Sequence, residues 1–128
     1  VRILCIDDET LILGCIARAL SGHEIVCYSD SCAAISHLVS EPRPHYDVVL
    51  CDLLMPDCTG VDVHRVLTRD RPDLVDRIVF LTGATMMPGI DAFLQSTGAP
   101  VLRKPFGAAD VRIACATASG IDPGLRRV

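Results

Sequence analysis

Short apolar runs alternate with stretches of helical periodicity along the whole chain. The first run, Arg2–Ile6, is followed by Ile12, Cys15, Ile16, Ala19 and Leu20, apolar positions at helical spacing. Ser21-Gly22 closes that helix, and Glu24–Tyr28 reads as a second strand. Ser29, Asp30 and Ser31 are N-cap candidates for a helix carrying Ala34, Ile35 and Leu38, which Pro42 and Pro44 end. Val48–Cys51 is unbroken and aliphatic, as a strand buried on both faces requires. A loop over 56–60 leads to a third helix marked by Val63, Val66 and Leu67; Pro72 interrupts the next stretch, and Ile78–Leu81 is a fourth strand. Pro88 suits a helical first turn, with Ile90, Phe93 and Leu94 facing inward. Gly98-Ala99-Pro100 turns into a short fifth strand, and the last helix, 108–119, carries Val111, Ala114, Cys115 and Ala118.

Strand and helix thus recur five times, which predicts an α/β fold: a (βα)5 doubly wound, five-stranded parallel sheet with helices on both faces. The 128 residues fit one domain, expected over 1–119, with 120–128 a tail because Pro123 and Gly124 break any helix. Half the residues are hydrophobic, enough for a core on each side of the sheet. No run reaches the length of a membrane span, so no membrane contact by this domain is expected. No signal peptide is visible, and the opening on a strand without Met reads as a segment of something longer. A net charge of −4 without a basic stripe argues against direct nucleic-acid binding, and Arg126-Arg127 is too short to change that.

Seven cysteines, an odd number with no CxxC pair, read as free thiols, mostly buried, in a reducing cytoplasm. Cys58, in a loop, is expected to be the most exposed. The four histidines share no ligand spacing and read as surface or packing residues.

The chemistry gathers at the ends of the strands. The first run ends in Asp7-Asp8, the third in Asp52, the fourth in Thr82 and the fifth in Lys104-Pro105. In a parallel sheet these ends share one edge, where such folds bind ligands. Three carboxylates, a hydroxyl and an ammonium at one place can hold a divalent cation and accept a phosphoryl group on a carboxylate. Lys104 offsets one charge, and Mg²⁺, which takes a few carboxylate oxygens with water and phosphate oxygens, would offset the rest. An ordinary alternative exists for Asp7-Asp8-Glu9, as acids capping the first helix, but it leaves Asp52, Thr82 and Lys104 unexplained.

Four motifs, Ile6-Asp7-Asp8-Glu9, Asp52-Leu53-Leu54-Met55-Pro56 with Gly60, Phe80-Leu81-Thr82-Gly83 and Lys104-Pro105-Phe106, resemble in order and spacing the receiver domain of bacterial two-component response regulators. The resemblance covers about residues 2–119. It implies the flavodoxin-like strand order 2-1-3-4-5, with Asp52 as phosphoacceptor and Mg²⁺ held by Asp7, Asp8, Asp52 and the Leu54 backbone carbonyl. Thr82 and Lys104 would contact the phosphoryl group, with Asp52 and Lys104 as the catalytic pair, and the Lys104–Pro105 peptide would be cis. The implied partner is a histidine kinase or histidine phosphotransfer domain, and a weak homodimer is compatible with it. The domain would catalyse only its own phosphorylation and dephosphorylation. The run 98–106 resembles the C-terminal receivers of hybrid sensor histidine kinases; a free single-domain regulator is the alternative.

Departures from the family pattern are Val101, where an aromatic is usual, Arg103 before the lysine, Thr59, and Leu54, whose side chain cannot orient a hydrolytic water. They bear on switching and on self-dephosphorylation rather than on the acceptor. A haloacid-dehalogenase-like enzyme would need an acid where Leu54 stands. A phosphorylation-independent interaction module of the same fold remains the other functional class.

Overall fold

The structure, a computed structural model, describes residues 1–83 and 89–120. Within them the chain forms β1 (Arg2–Ile6), α1 (Thr10–Ala19), β2 (Glu24–Tyr28), α2 (Ser31–Leu38), β3 (Val48–Asp52), α3 (Gly60–Asp70), α4 (Pro72–Val75), β4 (Ile78–Thr82), α5 (Ile90–Thr97), β5 (Val101–Arg103) and α6 (Ala108–Ser119). All strand pairings are parallel, in the order β2-β1-β3-β4-β5. The strand order implied by the resemblance is the one observed.

Alternation along the strands divides the interior into two cores. Leu4, Ile6, Val49, Cys51, Ile78 and Phe80 face α2, α3 and α5 through Ala34, Leu38, Val63, Leu67 and Leu94. Ile3, Cys5, Val48, Leu50, Val79 and Leu81 face α1 and α6 through Leu13, Ile16, Leu20, Val111 and Cys115. Every residue of β3 and β4 is buried, as continuous apolar runs in central strands require. β2 is an edge strand with only partial burial.

Three expectations need correction. Pro72 starts the one-turn helix α4 rather than merely interrupting the chain, because a missing N–H and a fixed φ suit a first turn. On α1 the inward residues are Leu13, Ile16 and Leu20, while Cys15 is exposed, one step of about 100° off the buried stripe. The cysteines are not mostly buried: Cys5, Cys51 and Cys115 are, Cys32 and Cys58 are half-buried, and Cys15 and Cys27, not Cys58, are exposed. Pro88 and the tail 121–128 lie outside the described residues. α5 begins at Ile90, after Gly89 at φ +90°.

His37 and His64 are packing residues. His37 stacks on Tyr28 and meets the Tyr46 hydroxyl at 2.6 Å. His64 packs edge-on against Phe93, with ring centroids 5.3 Å apart.

Candidate functional site

The parallel register carries the ends of β1, β3 and β4 to one edge of the sheet. Ile6 pairs with Cys51, and Asp52 pairs with Leu81, so Asp7, Asp52 and Thr82 each sit at or one step past the last paired residues. The backbone N–H of Lys104 donates to the Thr82 carbonyl at 2.8 Å, which extends β5 to the same edge.

Asp7 is fully buried and Asp52 is 4% exposed, whereas Asp8 is exposed. Asp7, Asp8 and Asp52 each place a carboxylate oxygen within 4.8 Å of the others. Lys104 Nζ lies 2.9 Å from Asp7 Oδ2 and 3.5 Å from Asp52 Oδ2. It also meets Glu9 Oε1 at 2.8 Å. Asp7 Oδ1 accepts the Glu9 backbone N–H at 2.9 Å. Asp7 Oδ2 has the lysine charge beside it but no aligned hydrogen-bond donor.

The capping alternative fits by position, since Glu9 is the N-cap residue of α1, but not by hydrogen bonding. α1 begins after Glu9, whose side chain makes no capping bond and instead reaches Lys104. The Glu9–Lys104 pair spans 95 positions and is visible only once the strands are placed; the motif alone carries no signal for it.

Burial and the neighbouring Asp7 charge push the Asp52 carboxyl up to about 6, against the opposing pull of Lys104. Burial by itself would lower the Lys104 ammonium. Its hydrogen bond to Glu9 and the adjacent charges of Asp7 and Asp52 outweigh that and hold it above lysine's usual value.

The loop after β3 is held by its own residues. The Leu54 N–H points back to Asp52 Oδ1 at 3.4 Å, and the residue is 44% exposed. Asp57 adopts φ +66°, an accessible conformation for aspartate. Gly60 N–H donates to the Leu53 carbonyl at 2.9 Å. A Cβ on Gly60 would lie 2.7 Å from the Asp52 carbonyl oxygen and 2.9 Å from Leu53 Cα, so only glycine lets α3 start this close to the end of β3. Thr59 caps α3 in a reciprocal box with Asp62, which explains a hydroxyl residue there. Thr82 is buried, and its hydroxyl donates to the Gly83 carbonyl at 3.3 Å. The Lys104–Pro105 peptide is cis.

The sequence profile of the response regulator receiver domain matches residues 3–116. The chain belongs to the response regulator receiver domain family. The receiver is 30% identical over 115 residues to the response regulator receiver protein CpdR of Brucella abortus, covering 86% of this chain and 89% of CpdR. It is 35% identical over 107 residues to the DNA-binding response regulator MtrA of Mycobacterium tuberculosis, covering 82% of this chain and 44% of MtrA. It thus spans nearly the whole of one curated relative and about half the length of others. A crystal structure of a response regulator receiver domain protein from Clostridium thermocellum superposes with a TM-score of 0.80 at 30% identity, covering 93% of this chain and 94% of that one. No helix among the described residues of the receiver is long and apolar enough to cross a membrane.

In this receiver Val101 pairs with Phe80 and is half-buried. The rings next to Phe80 come from helices instead: Phe93 of α5 lies edge-on to it with centroids 5.4 Å apart, and His64 of α3 at 6.0 Å.

Proposed function

We propose that this receiver takes a phosphoryl group from a phosphohistidine onto Asp52. The observation that supports it most is the convergence of Asp7, Asp8, Asp52 and Lys104, from three strand ends, around one nearly buried carboxylate. Buried acids this close together are costly unless a cation is shared among them. The single lysine leaves excess negative charge, and the unaligned Asp7 Oδ2 is a buried oxygen still open to a ligand. The donor set is all oxygen, which suits Mg²⁺. Asp7, Asp8, Asp52 and the Leu54 carbonyl would hold it, and it would neutralise charge developing on the phosphoryl oxygens.

Asp52 acts as nucleophile. Its carboxylate oxygen forms a bond to phosphorus as the P–N bond of the phosphohistidine breaks, and the electron pair leaves with the imidazole. Lys104, already within 3.5 Å of Asp52, presents its ammonium to the transferred group and stabilises its charge. The phosphoaspartate adds further negative charge at the sheet edge. The Thr82 hydroxyl, which among the described residues donates to the Gly83 carbonyl, can turn and donate to it instead. That exchange shifts the population of the segment after β4 and constitutes the switch.

The partner is a histidine kinase or histidine phosphotransfer domain, in a cytoplasmic two-component relay. The parent chain is a hybrid sensor kinase, with a free-standing regulator the alternative. Labelling with acetyl phosphate and Mg²⁺, with mapping of the modified residue, tests the assignment. Label on Asp52 supports it, and label elsewhere contradicts it.

A further inference from the structure

Outside the acidic site, two half-buried thiols meet across two elements. Cys32 sits in the first turn of α2, where the Asp30 side chain accepts its backbone N–H at 3.0 Å. Cys58 sits in the loop between Asp52 and α3, and its N–H donates to the Pro56 carbonyl at 2.8 Å. The two segments are bound together independently of the sulfurs, because the buried Ser31 hydroxyl donates to that same Pro56 carbonyl at 3.3 Å. The Cys32 and Cys58 side chains are near enough to perturb one another.

We infer that Cys32 and Cys58 form a peroxide-sensitive dithiol whose disulfide ties the acceptor loop to α2. Both residues are half-buried rather than sealed in the core, so a small oxidant can reach them. The Cys58 thiol is pushed up to about 11, first by the Cys32 side chain and then by burial and the charges of Asp62 and Asp57, so Cys58 keeps its proton near neutral pH. The two steps can start from Cys32. Its thiolate breaks the O–O bond of hydrogen peroxide and becomes a sulfenic acid, and hydroxide leaves to take up a proton as water. The Cys58 sulfur then attacks the Cys32 sulfur, the S–O bond breaks, and a second water departs with the Cys58 proton. Two thiols lose two electrons, and one peroxide gains them.

The loop so tethered is the one that carries Leu54 from Asp52 to Thr59. Oxidation is therefore expected to slow phosphorylation of Asp52, a consequence that rests on the acceptor reading above.

The test treats the reduced chain with hydrogen peroxide and digests it, without reductant, with a protease that cuts before aspartate. That places Cys32 in the peptide 30–46 and Cys58 in 57–61, apart from Cys15 and Cys27 in 8–29 and Cys51 in 47–51. The expected product is one cross-linked pair, 30–46 with 57–61, lighter by two hydrogens, lost in Cys32→Ser and in Cys58→Ser, retained in Cys15→Ser, and reversed by dithiothreitol. No cross-link, or one through Cys15 or Cys27, overturns the proposal. Acetyl phosphate labelling of the oxidised and reduced forms then tests the consequence: equal rates overturn the regulatory half while the cross-link stands. Failure of the reduced protein to label would count against the acceptor assignment and not against the dithiol.

Discussion

Lys104 Nζ stands 2.9 Å from the Oδ2 of Asp7, a carboxylate that is otherwise completely enclosed. The ammonium holds together charges contributed by the ends of β1 and β3 and the start of α1, which gives it a structural role of its own. Removing one partner of a buried pair leaves the other uncompensated. Lys104→Met should therefore destabilise the metal-free fold by about 2–4 kcal/mol, read as a shift of the urea midpoint. It should also abolish labelling. Unchanged stability would show that Asp7 does not depend on this lysine.

The raised Asp52 carboxyl makes stability depend on pH. Its folded value of about 6 lies above the ordinary aspartate value, so the folded state binds its proton more tightly than the unfolded state does. Stability from this group is present below the unfolded value and is lost as pH rises through about 6. Asp52→Asn removes the penalty and should stabilise the metal-free protein at pH 7.5 by about 1–3 kcal/mol, with little gain at pH 4. Thermal melts at both values check this. A destabilised Asn variant at pH 7.5 would contradict it.

Gly60→Ala places a Cβ against the Asp52 carbonyl and Leu53 Cα, two backbone atoms that cannot move aside alone. A cost of about 1–3 kcal/mol is expected, together with slower labelling as the loop after Asp52 shifts. An alanine variant indistinguishable from wild type in both readouts would mean that the loop relaxes freely.

Much of the fold was legible in the residues. The aliphatic runs at β1, β3 and β4 gave themselves away by composition, and each ended on the residue that the sheet brings to the site. Helix faces were less clear, because on α1 Leu13 and Cys15 differ by two positions and both look apolar. Only packing decides that Leu13 is inside and Cys15 outside. The Glu9–Lys104 bond could not be read at all, since it depends on two loops from opposite ends of the chain meeting. The one-turn helix at Pro72 was hidden because proline serves equally to end one helix and to begin another.

Thiol reactivity should track burial. In the native state Cys15 and Cys27 should react first with a disulfide reagent, and Cys5, Cys51 and Cys115 only after denaturation. Burial raises the Cys5 and Cys51 thiols, which reinforces their inertness. Rapid modification of Cys51 in the folded protein would contradict the burial of β3.

Metal binding should depend most on Asp8, the exposed member of the trio. Asp8→Ala is expected to weaken Mg²⁺ binding by at least about tenfold, as losing a ligand does. Titration monitored by amide chemical shifts checks it, and an unchanged affinity would remove Asp8 from the ligand set.

Phosphotransfer to Asp52 is tested most sharply by locating the incorporated phosphoryl group. Wild type and Asp52→Asn are incubated with a phosphorylated histidine phosphotransfer domain and Mg²⁺, and the modified residue is trapped by borohydride reduction and located by mass spectrometry. One modified residue, Asp52, is expected in the wild type and none in the variant. Equal incorporation into Asp52→Asn, or modification of Asp7 or Asp8 in the wild type, would contradict it.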